Sequence, residues 1–225
     1  MHSTLGLFPL STVLVPGATL RLHIFEDRYK QMIGECIASR RAFGVVLDRE
    51  RRETGDDLDP VDIGTAAEIR EVSMLSHGRL FIVTRGTTRF RVKHVIAKEP
   101  FWTAEVEYLE EPVGKPETAE QLRISAVGHF KDYLCALLAV PHSDIDRIDL
   151  PRDAAASSYL IADAMQVAPA AKQRLLEADS ASDRLRDELD LLDSETRRLL
   201  AARVRRDLDL MSTLSAPFDV RFSSN

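Results

Sequence analysis

The stretch of sequence that decides the fold lies near the N-terminus, where residues 7–29 read LFPLSTVLVPGATLRLHIFEDRY. Within it, Leu20, Leu22 and Ile24 alternate with polar residues, which is the period-two pattern of a half-buried strand. Pro16 and Gly17 precede that strand and are typical of a turn, because proline fixes φ and glycine accepts unusual backbone angles. The stretch therefore predicts strand, turn and strand, with its aliphatic residues filling a β core.

A helix follows directly on this stretch. Apolar residues recur at helical spacing, at Tyr29, Met32, Ile33, Cys36 and Ile37. This spacing predicts an amphipathic helix with one buried face.

Period-two alternation continues in further segments of the first half. These segments are Phe43–Leu47, Glu68–Leu75, Leu80–Thr84, Thr88–Val95 and Trp102–Tyr108. Ser76–Gly78 and Arg85–Thr87 supply turn or bulge chemistry between neighbouring strands, so we expect a meander. The segment from Asp48 to Asp62 is almost wholly charged or turn-forming and is expected to be a long exposed loop.

Composition changes along the chain. All ten glycines lie between Gly6 and Gly128, whereas 17 of the 24 alanines follow Glu111. Because glycine serves turns and alanine is the best helix former, this skew predicts a β-rich half followed by a helical half. We place the β-rich subdomain at residues 1–112, a Pro/Gly linker at 113–117 and a helical bundle at 118–225. The fold class is α+β.

The second half carries start signals for several helices. Thr118 has the spacing of a capping box with Gln121, Asp153 can cap a second helix, and Pro169 suits the first turn of a third. Ser182 can cap a last, long helix whose apolar residues run to Met211. Four packed helices would form a small bundle. Residues from Ala216 onward alternate and are expected to form a short strand or to dock on the core.

Composition also limits the class of protein. The net charge of −6 and the pI near 5.6 argue against a dedicated nucleic-acid binder, which normally carries a cationic surplus. No apolar run reaches the roughly 18 residues of a membrane span, and Cys36 and Cys135 lie far apart without a metal-binding motif. We expect a reduced, cytoplasmic protein with no membrane partner.

No motif for catalysis or for a cofactor is found. The sequence has no GxxxxGK[ST] phosphate-binding loop and no G-x-S-x-G elbow. His129, Cys135 and His142 cluster in sequence, but their spacings do not suit a metal site. We therefore expect no enzyme, no metal and no cofactor.

Two groups of residues are candidates for ligand contact. Arg89, Arg91 and Lys93 alternate along a predicted strand, which would place three cations on one face and favours polyanion binding, although a solvated strand face is the simpler interpretation. Phe101 and Trp102 could anchor a ligand through exposed aromatic surface, but a strand tryptophan more often belongs to the core.

The opening stretch closely resembles the start of the N-terminal domain of Lon proteases. Later segments agree with the resemblance: Phe43–Val46, Gly64–Ile69, His77–Leu80, Gly86–Val92, Leu160–Asp163 and Lys172–Glu177. The resemblance implies a β-rich, PUA-like pseudobarrel with one helix, followed by a helical bundle. It also implies a stand-alone substrate-binding domain, because the ATPase module and the Ser–Lys protease domain of Lon follow this region and the chain ends before either.

The resemblance leads to two alternative functions. The preferred hypothesis is a non-enzymatic module that recognises unfolded or degron-bearing polypeptides, at a strand edge or an apolar groove. The alternative is an RNA-interacting protein that uses the basic strand face. Part of the last helix could pair with a second copy, but Arg203 and Arg206 interrupt a strict heptad pattern, so we expect a monomer or a weak dimer.

Overall fold

The computed structural model describes residues 2–49 and 60–214, with the side chains of His2 and residues 210–214 left out. The strands are β1 (His2–Leu10), β2 (Thr19–Ile24), β3 (Phe43–Leu47), β4 (Ile63–Met74), β5 (Leu80–Ala97) and β6 (Thr103–Tyr108). The helices are α1 (Asp27–Ser39), α2 (Pro116–Leu138), α3 (His142–Ile145), α4 (Ala154–Ala164), α5 (Pro169–Glu177) and α6 (Ala181–Leu214). The predicted α+β organisation is confirmed.

The six strands form one sheet in the order β2-β5-β4-β3-β1-β6, and an additional pairing of β5 with β6 closes it. Only β1 and β3 run parallel; the other pairs are antiparallel. Closure involves β1, β3, β4, β5 and β6, while β2 pairs only with the first part of β5. The result is a small barrel with a three-stranded arm, made of β2, the start of β5 and the end of β4.

Strand β5 is longer than predicted. The sequence predicts two strands separated at Arg85–Thr87, but the ladder with β4 continues through this point with a register shift. Of the two possibilities expected there, a turn or a bulge, the register shift corresponds to the bulge. Gly86 also bonds to a neighbouring segment: its N–H donates to Ala18 O, and its C=O accepts from Gly17 N–H. A Cβ at Gly86 would lie 2.4 Å from Val15 O, so this glycine serves a close backbone approach.

Helix α1 seals one side of the barrel. Its buried face carries Tyr29, Met32, Ile33 and Cys36, as the apolar stripe predicted, whereas Ile37, the last residue of that stripe, is 43% exposed. The Tyr29 ring stacks on Phe8 of β1 at 4.1 Å between centroids. The buried side chains around this helix form one continuous cluster that extends into the helical half, so the two halves share a core.

Two helices of the second half begin at the signals that the sequence predicts, and two do not. Asp153 caps α4 as predicted, by accepting from Ala156 N–H at 2.8 Å, and Pro169 opens α5. By contrast, α2 starts at Pro116, two residues before the predicted capping box at Thr118. The α6 cap is Ser180, whose Oγ accepts from Asp183 N–H at 3.1 Å.

The segment predicted as a linker is packed against α6. Ser182, which we expected to cap this helix, donates through its hydroxyl to Val113 O. The N–H groups of Ala181 and Ser182 donate to Pro112 O and Val113 O. The connection between the halves is therefore tied to the helix that ends the described chain.

Two sequence predictions fall on parts of the chain that are not described. The middle of the loop between Asp48 and Asp62, and the segment after Ala216, lie outside the described residues. Within the described residues, no helix combines the length and apolarity that crossing a membrane requires.

Candidate functional site: the groove between α1 and β4

The second half of β4 has one open edge. Strand β3 pairs with β4 only at Thr65, Ala66 and Ala67, whereas β5 pairs with β4 along its whole length up to Met74. Residues 68–74 therefore have a strand on one side, and no described strand lies on the other. Such an edge presents backbone N–H and C=O groups to any extended chain that can reach it.

A groove lies beside this open edge, between β4 and the end of α1. It has a volume of about 330 Å³. Its lining residues are Cys36, Ile37, Arg40, Arg41, Ala42, Glu68, Ile69, Arg70 and Val72. We call this depression the α1–β4 groove.

The apolar part of the groove is open to solvent. Ile37 from α1 and Val72 from β4 are each 43% exposed. At the tip of the arm, Met74 and Leu75 are also exposed, at 82% and 40%. Exposed aliphatic side chains beside an unpaired strand form a surface that can bury the side chains of a partner strand.

A second, smaller cavity adjoins the first at Cys36, Arg41 and Ala42. Its volume is about 200 Å³, and Phe101 and Met32 contribute to its wall. The two cavities together run from Val72 past the end of α1 to Phe101. Phe101, a candidate contact from the sequence, thus lines the continuation of the α1–β4 groove.

The groove is cationic in an acidic protein. Arg40 and Arg41 follow the last residue of α1 and are exposed, where positive charge also suits the negative end of the helix dipole. Arg70 on β4 lies 2.7 Å from Glu68, the one carboxylate in the lining set. Burial raises the pKa of the Cys36 thiol to about 11, with a further contribution from the charge of Glu35, so the thiol is neutral.

The other predicted aromatic residue belongs to the barrel. Trp102 is only 7% exposed and packs in a cluster with Leu5, Phe90 and Val106, while Lys98 lies over its ring at 4.9 Å. The expectation that a single strand tryptophan is a core residue agrees with this placement. Its neighbour Phe101 is only half-buried and is the more accessible of the two.

The structure separates the three basic residues of β5. Arg89 is 3% exposed and does not lie on a solvated face, contrary to the expected alternation. Its guanidinium donates to the Glu111 carboxylate and to the backbone carbonyls of Glu110, Leu176 and Ala178. The helical half covers this side of the strand, so Arg89 joins the two halves and offers no surface for a polyanion.

Arg91 and Lys93 remain exposed on β5. Both lie beside Glu107 of β6: Arg91 is its register partner, and Lys93 Nζ is 2.7 Å from its carboxylate. The predicted face of three cations is therefore reduced to two that share an acidic neighbour. No contact in the described structure favours the RNA hypothesis.

Sequence reasoning missed a buried polar cluster at the junction of the halves. Arg184 of α6 is fully buried and donates to Leu175 O, Ser158 Oγ and Tyr159 OH. Glu111 lies between Arg184 and Arg89. Because these hydrogen bonds all end on groups of the protein from both halves, the cluster joins the two halves.

The histidines and Cys135 do not converge. His129 lies 3.2 Å from Asp193, and His142 lies 2.8 Å from Asp132. Across residues 2–49 and 60–214, no group of three or more His, Cys, Asp or Glu side chains is arranged to hold a metal ion. These pairs tie α6 to α2 and α3 to α2.

Comparison by sequence and by structure finds similarity to the same group of proteins. A family model described as the ATP-dependent protease La (LON) substrate-binding domain matches residues 4–194. A Lon N-terminal domain protein from Xanthomonas campestris has a similar structure, with a TM-score of 0.61 and 27% identity over 84% of this chain and 98% of that one. The N-terminal domain of a Mycobacterium avium complex Lon protease has a TM-score of 0.62 at 20% identity, covering 85% of this chain and 98% of that one.

Curated relatives are similar over most of this chain but are much longer. A Lon protease from Syntrophomonas wolfei is 24% identical over 215 residues, which is 92% of this chain and 26% of that protein. A Lon protease from Roseiflexus castenholzii is 25% identical over 88% of this chain and 25% of that protein. The chain thus spans about a quarter of the length of these relatives.

Proposed function

The chain belongs to the family of the ATP-dependent protease La (LON) substrate-binding domain, and on that basis we propose that its α1–β4 groove binds extended polypeptide segments. The module acts by recognition alone, without ATP hydrolysis or peptide-bond cleavage. The observation that carries the proposal is the open edge of β4 at residues 68–74 beside an exposed apolar groove.

An open strand edge suits an unfolded client better than a folded one. An extended segment can add as a further strand on β4 and pair its main chain with the free backbone groups. Alternate side chains of that segment then point to the same face, where Ile37 and Val72 are exposed. A folded protein has few unpaired extended segments to offer, so this geometry selects unfolded or degron-bearing regions.

The charges around the groove favour a particular kind of segment. The charged side chains that line the groove itself are three arginines, Arg40, Arg41 and Arg70, and one carboxylate, Glu68, while Glu71 follows on the same strand edge and Glu35 lines the adjoining cavity. Acidic residues in the client would meet these guanidinium groups, whereas lysines or arginines would be repelled. We therefore propose aliphatic segments that also carry aspartate or glutamate as the preferred clients.

Charges on β4 itself serve a second purpose. Glu68, Arg70 and Glu71 lie along the open edge, and all three are exposed. Charged side chains on an edge strand oppose indiscriminate pairing between copies. The edge is thereby open to a complementary client but protected against aggregation.

Fluorescence anisotropy with labelled ten-residue peptides tests the proposal. The peptides alternate valine with aspartate, with serine or with lysine, and a permanently unfolded, reduced and carboxymethylated protein is the longer probe. We expect binding in the tens of micromolar, strongest for the aspartate peptide and weakest for the lysine peptide. Absence of binding by every probe would overturn the proposal.

Variants locate the binding surface. Ile37→Asp combined with Val72→Asp places charge in the groove and should weaken binding of the serine peptide at least about fivefold. Ile148→Asp is the matched control, because Ile148 is 39% exposed in the helical half. Arg40→Glu with Arg70→Glu should reverse the order of the aspartate and lysine peptides, whereas Arg147→Glu should not. Unchanged affinity in the groove variants would move the site elsewhere.

A further inference from the structure

The smaller cavity beside the α1–β4 groove has an apolar floor. Its volume is about 200 Å³, and it shares Cys36, Arg41 and Ala42 with the lining of the groove. Met32 and Cys36 of α1 are buried beneath it, while Phe101 and Ala42 are half-buried beside it. Gly6 and polar residues complete the lining: Thr4, Glu35, Ser39, Arg41 and Thr103. We call this depression the Phe101 cavity.

Gly6 of β1 lets two side chains of this cavity pack directly on the strand. A Cβ built at Gly6 would lie 2.9 Å from Met32 Cγ and Sδ and 3.1 Å from Phe101 Cε2. Any larger residue at this position would therefore push Met32 and Phe101 away from β1. The space open to them is the cavity that they line. The missing side chain at Gly6 thus keeps the Phe101 cavity open.

The Phe101 cavity lies beyond one end of the open edge of β4. Strand β3 runs antiparallel to β4 and pairs Phe43 with Ala67. A client strand on residues 68–74 continues the line of β3, and a client that runs in the direction of β3 has its C-terminal end at Glu68. Glu68 and Ala42 both line the α1–β4 groove, and Ala42 also lines the Phe101 cavity. The client residues that follow the paired segment are therefore directed towards this cavity.

We propose that the Phe101 cavity binds one phenylalanine side chain of the client, on the C-terminal side of the segment that pairs with β4. This inference rests on the proposed function, because the paired segment delivers the side chain to the cavity. An apolar cavity of about 150 Å³ accommodates one benzene ring. A cavity of about 200 Å³ therefore holds a single phenyl ring.

The lining suits an aromatic side chain better than a charged one. Phe101 offers a ring for stacked or edge-to-face contact, and the thioether of Met32 makes favourable contacts with aromatic rings. Burial raises the pKa of the Cys36 thiol to about 11, so the floor carries no charge. Glu35 and Arg41 at the mouth are exposed and of opposite sign. An ionised client side chain would lose its hydration at this floor without gaining a buried partner.

Fluorescence anisotropy with extended peptides tests the anchor. The valine–serine peptide is extended at its C-terminus with Gly-Phe, Gly-Ala or Gly-Trp, each ending in an amide, and a fourth peptide carries Phe-Gly at its N-terminus. We expect the Gly-Phe peptide to bind at least about fivefold more tightly than the Gly-Ala peptide, because it buries a phenyl ring. An equal gain from the N-terminal phenylalanine would contradict the antiparallel direction.

The same titrations separate this inference from the proposed function. Equal affinity of the Gly-Phe and Gly-Ala peptides would overturn the phenylalanine site, although binding of both would still support an open edge that pairs with clients. Absence of binding by the serine peptide with or without any extension, and by the aspartate peptide, would contradict the proposed function itself.

Two substitutions change the size of the cavity in opposite directions. Gly6→Ala moves Met32 and Phe101 into it and should reduce the advantage of Gly-Phe over Gly-Ala to below about twofold. Phe101→Ala enlarges it and should improve binding of Gly-Trp relative to Gly-Phe at least about threefold. A purely structural role of these residues would weaken all peptides alike. Ratios that stay at their wild-type values in both variants would overturn the assignment.

Matched variants outside the cavity serve as controls. Gly34→Ala adds a Cβ to α1 where nothing lies within 4 Å. Phe25→Ala removes a ring that is 61% exposed and lines neither the groove nor the Phe101 cavity. Both controls should leave the two peptide ratios unchanged, and a change as large as that in the cavity variants would contradict the assignment. Circular dichroism checks that all four variants are folded, and each ratio compares peptides on the same protein.

Discussion

The guanidinium of Arg184 lies over the ring of Tyr159, 3.8 Å from its centre, and also donates to that tyrosine's hydroxyl at 2.7 Å. Burial raises the pKa of the Tyr159 hydroxyl far above its ordinary value, so the hydroxyl stays protonated and donates to Glu111. The buried guanidinium of Arg184 thus interacts with the Glu111 carboxylate both directly and through the neutral Tyr159 hydroxyl. This relationship joins α4, α6 and the connection between the halves.

Loss of the buried cation should destabilise the whole protein. Arg184→Met keeps much of the side-chain volume but removes four buried hydrogen bonds and the cation that faces Glu111. Removing one partner from a buried charged cluster costs about 3–5 kcal/mol of unfolding free energy. Urea titration followed by circular dichroism measures the loss. Arg186→Met, on an exposed pair with Asp183, is the control and should cost under about 1 kcal/mol.

Glu188 should make the protein less stable as pH rises. It is fully buried, neither carboxylate oxygen has a hydrogen-bond partner, and burial raises its pKa well above the ordinary 4.5. The unfolded chain therefore loses this proton at lower pH than the folded chain, so raising pH above about 4.5 favours unfolding.

Replacing that carboxyl should remove the pH dependence it contributes. Glu188→Gln should be about 1–3 kcal/mol more stable than the wild type at pH 8 and close to it near pH 4.5. Urea titrations at both pH values measure the difference. Exposed Glu117 provides the control, since Glu117→Gln should change stability by under about 0.5 kcal/mol. Equal stability of Glu188→Gln and wild type at pH 8 would contradict a raised pKa for the Glu188 carboxyl.

Alanine at Gly86 and at Gly34 should have opposite effects. At Gly86 the added Cβ would lie 2.4 Å from a backbone oxygen, so Gly86→Ala should destabilise the barrel by more than about 2 kcal/mol. At Gly34, inside α1, the added Cβ meets nothing within 4 Å. Gly34→Ala should therefore stabilise by about 0.5–1 kcal/mol, because alanine is the better helix former. Thermal unfolding of both variants checks the two signs.

The start of α6 depends on one hydroxyl. Ser180→Ala removes the acceptor of Asp183 N–H and should cost about 1 kcal/mol of unfolding free energy. Ser194→Ala removes an exposed hydroxyl that bonds only to Leu191 O, three residues back in the same helix, and should be neutral within about 0.5 kcal/mol. A cost for Ser194→Ala equal to that for Ser180→Ala would argue against a specific cap.

Local periodicity was sufficient to predict most elements of the fold. The bounds of β3 and the buried face of α1 agree with the sequence because each depends on a short apolar pattern. Arg89 could not be placed in the same way. Alternation shows that successive residues of a strand point to opposite faces, but it does not show that helices from the other end of the chain cover one of them.

The candidate site was predictable only in part. The sequence indicates Phe101 as an aromatic of interest, and Phe101 does line the second cavity. The open edge of β4 follows from a pairing with β3 that stops at Ala67, and this depends on non-local register. The distinction between Ser180 and Ser182 at the start of α6 likewise depends on a bond to the distant Val113.

The hydrogen bonds from Ala181 and Ser182, at the start of α6, to Pro112 O and Val113 O couple this helix mechanically to the barrel. A helix of 34 residues is about 50 Å long. Its first turn is hydrogen-bonded to the segment that leaves the barrel. A force along this helix is therefore transmitted to the barrel through hydrogen bonds and packed side chains.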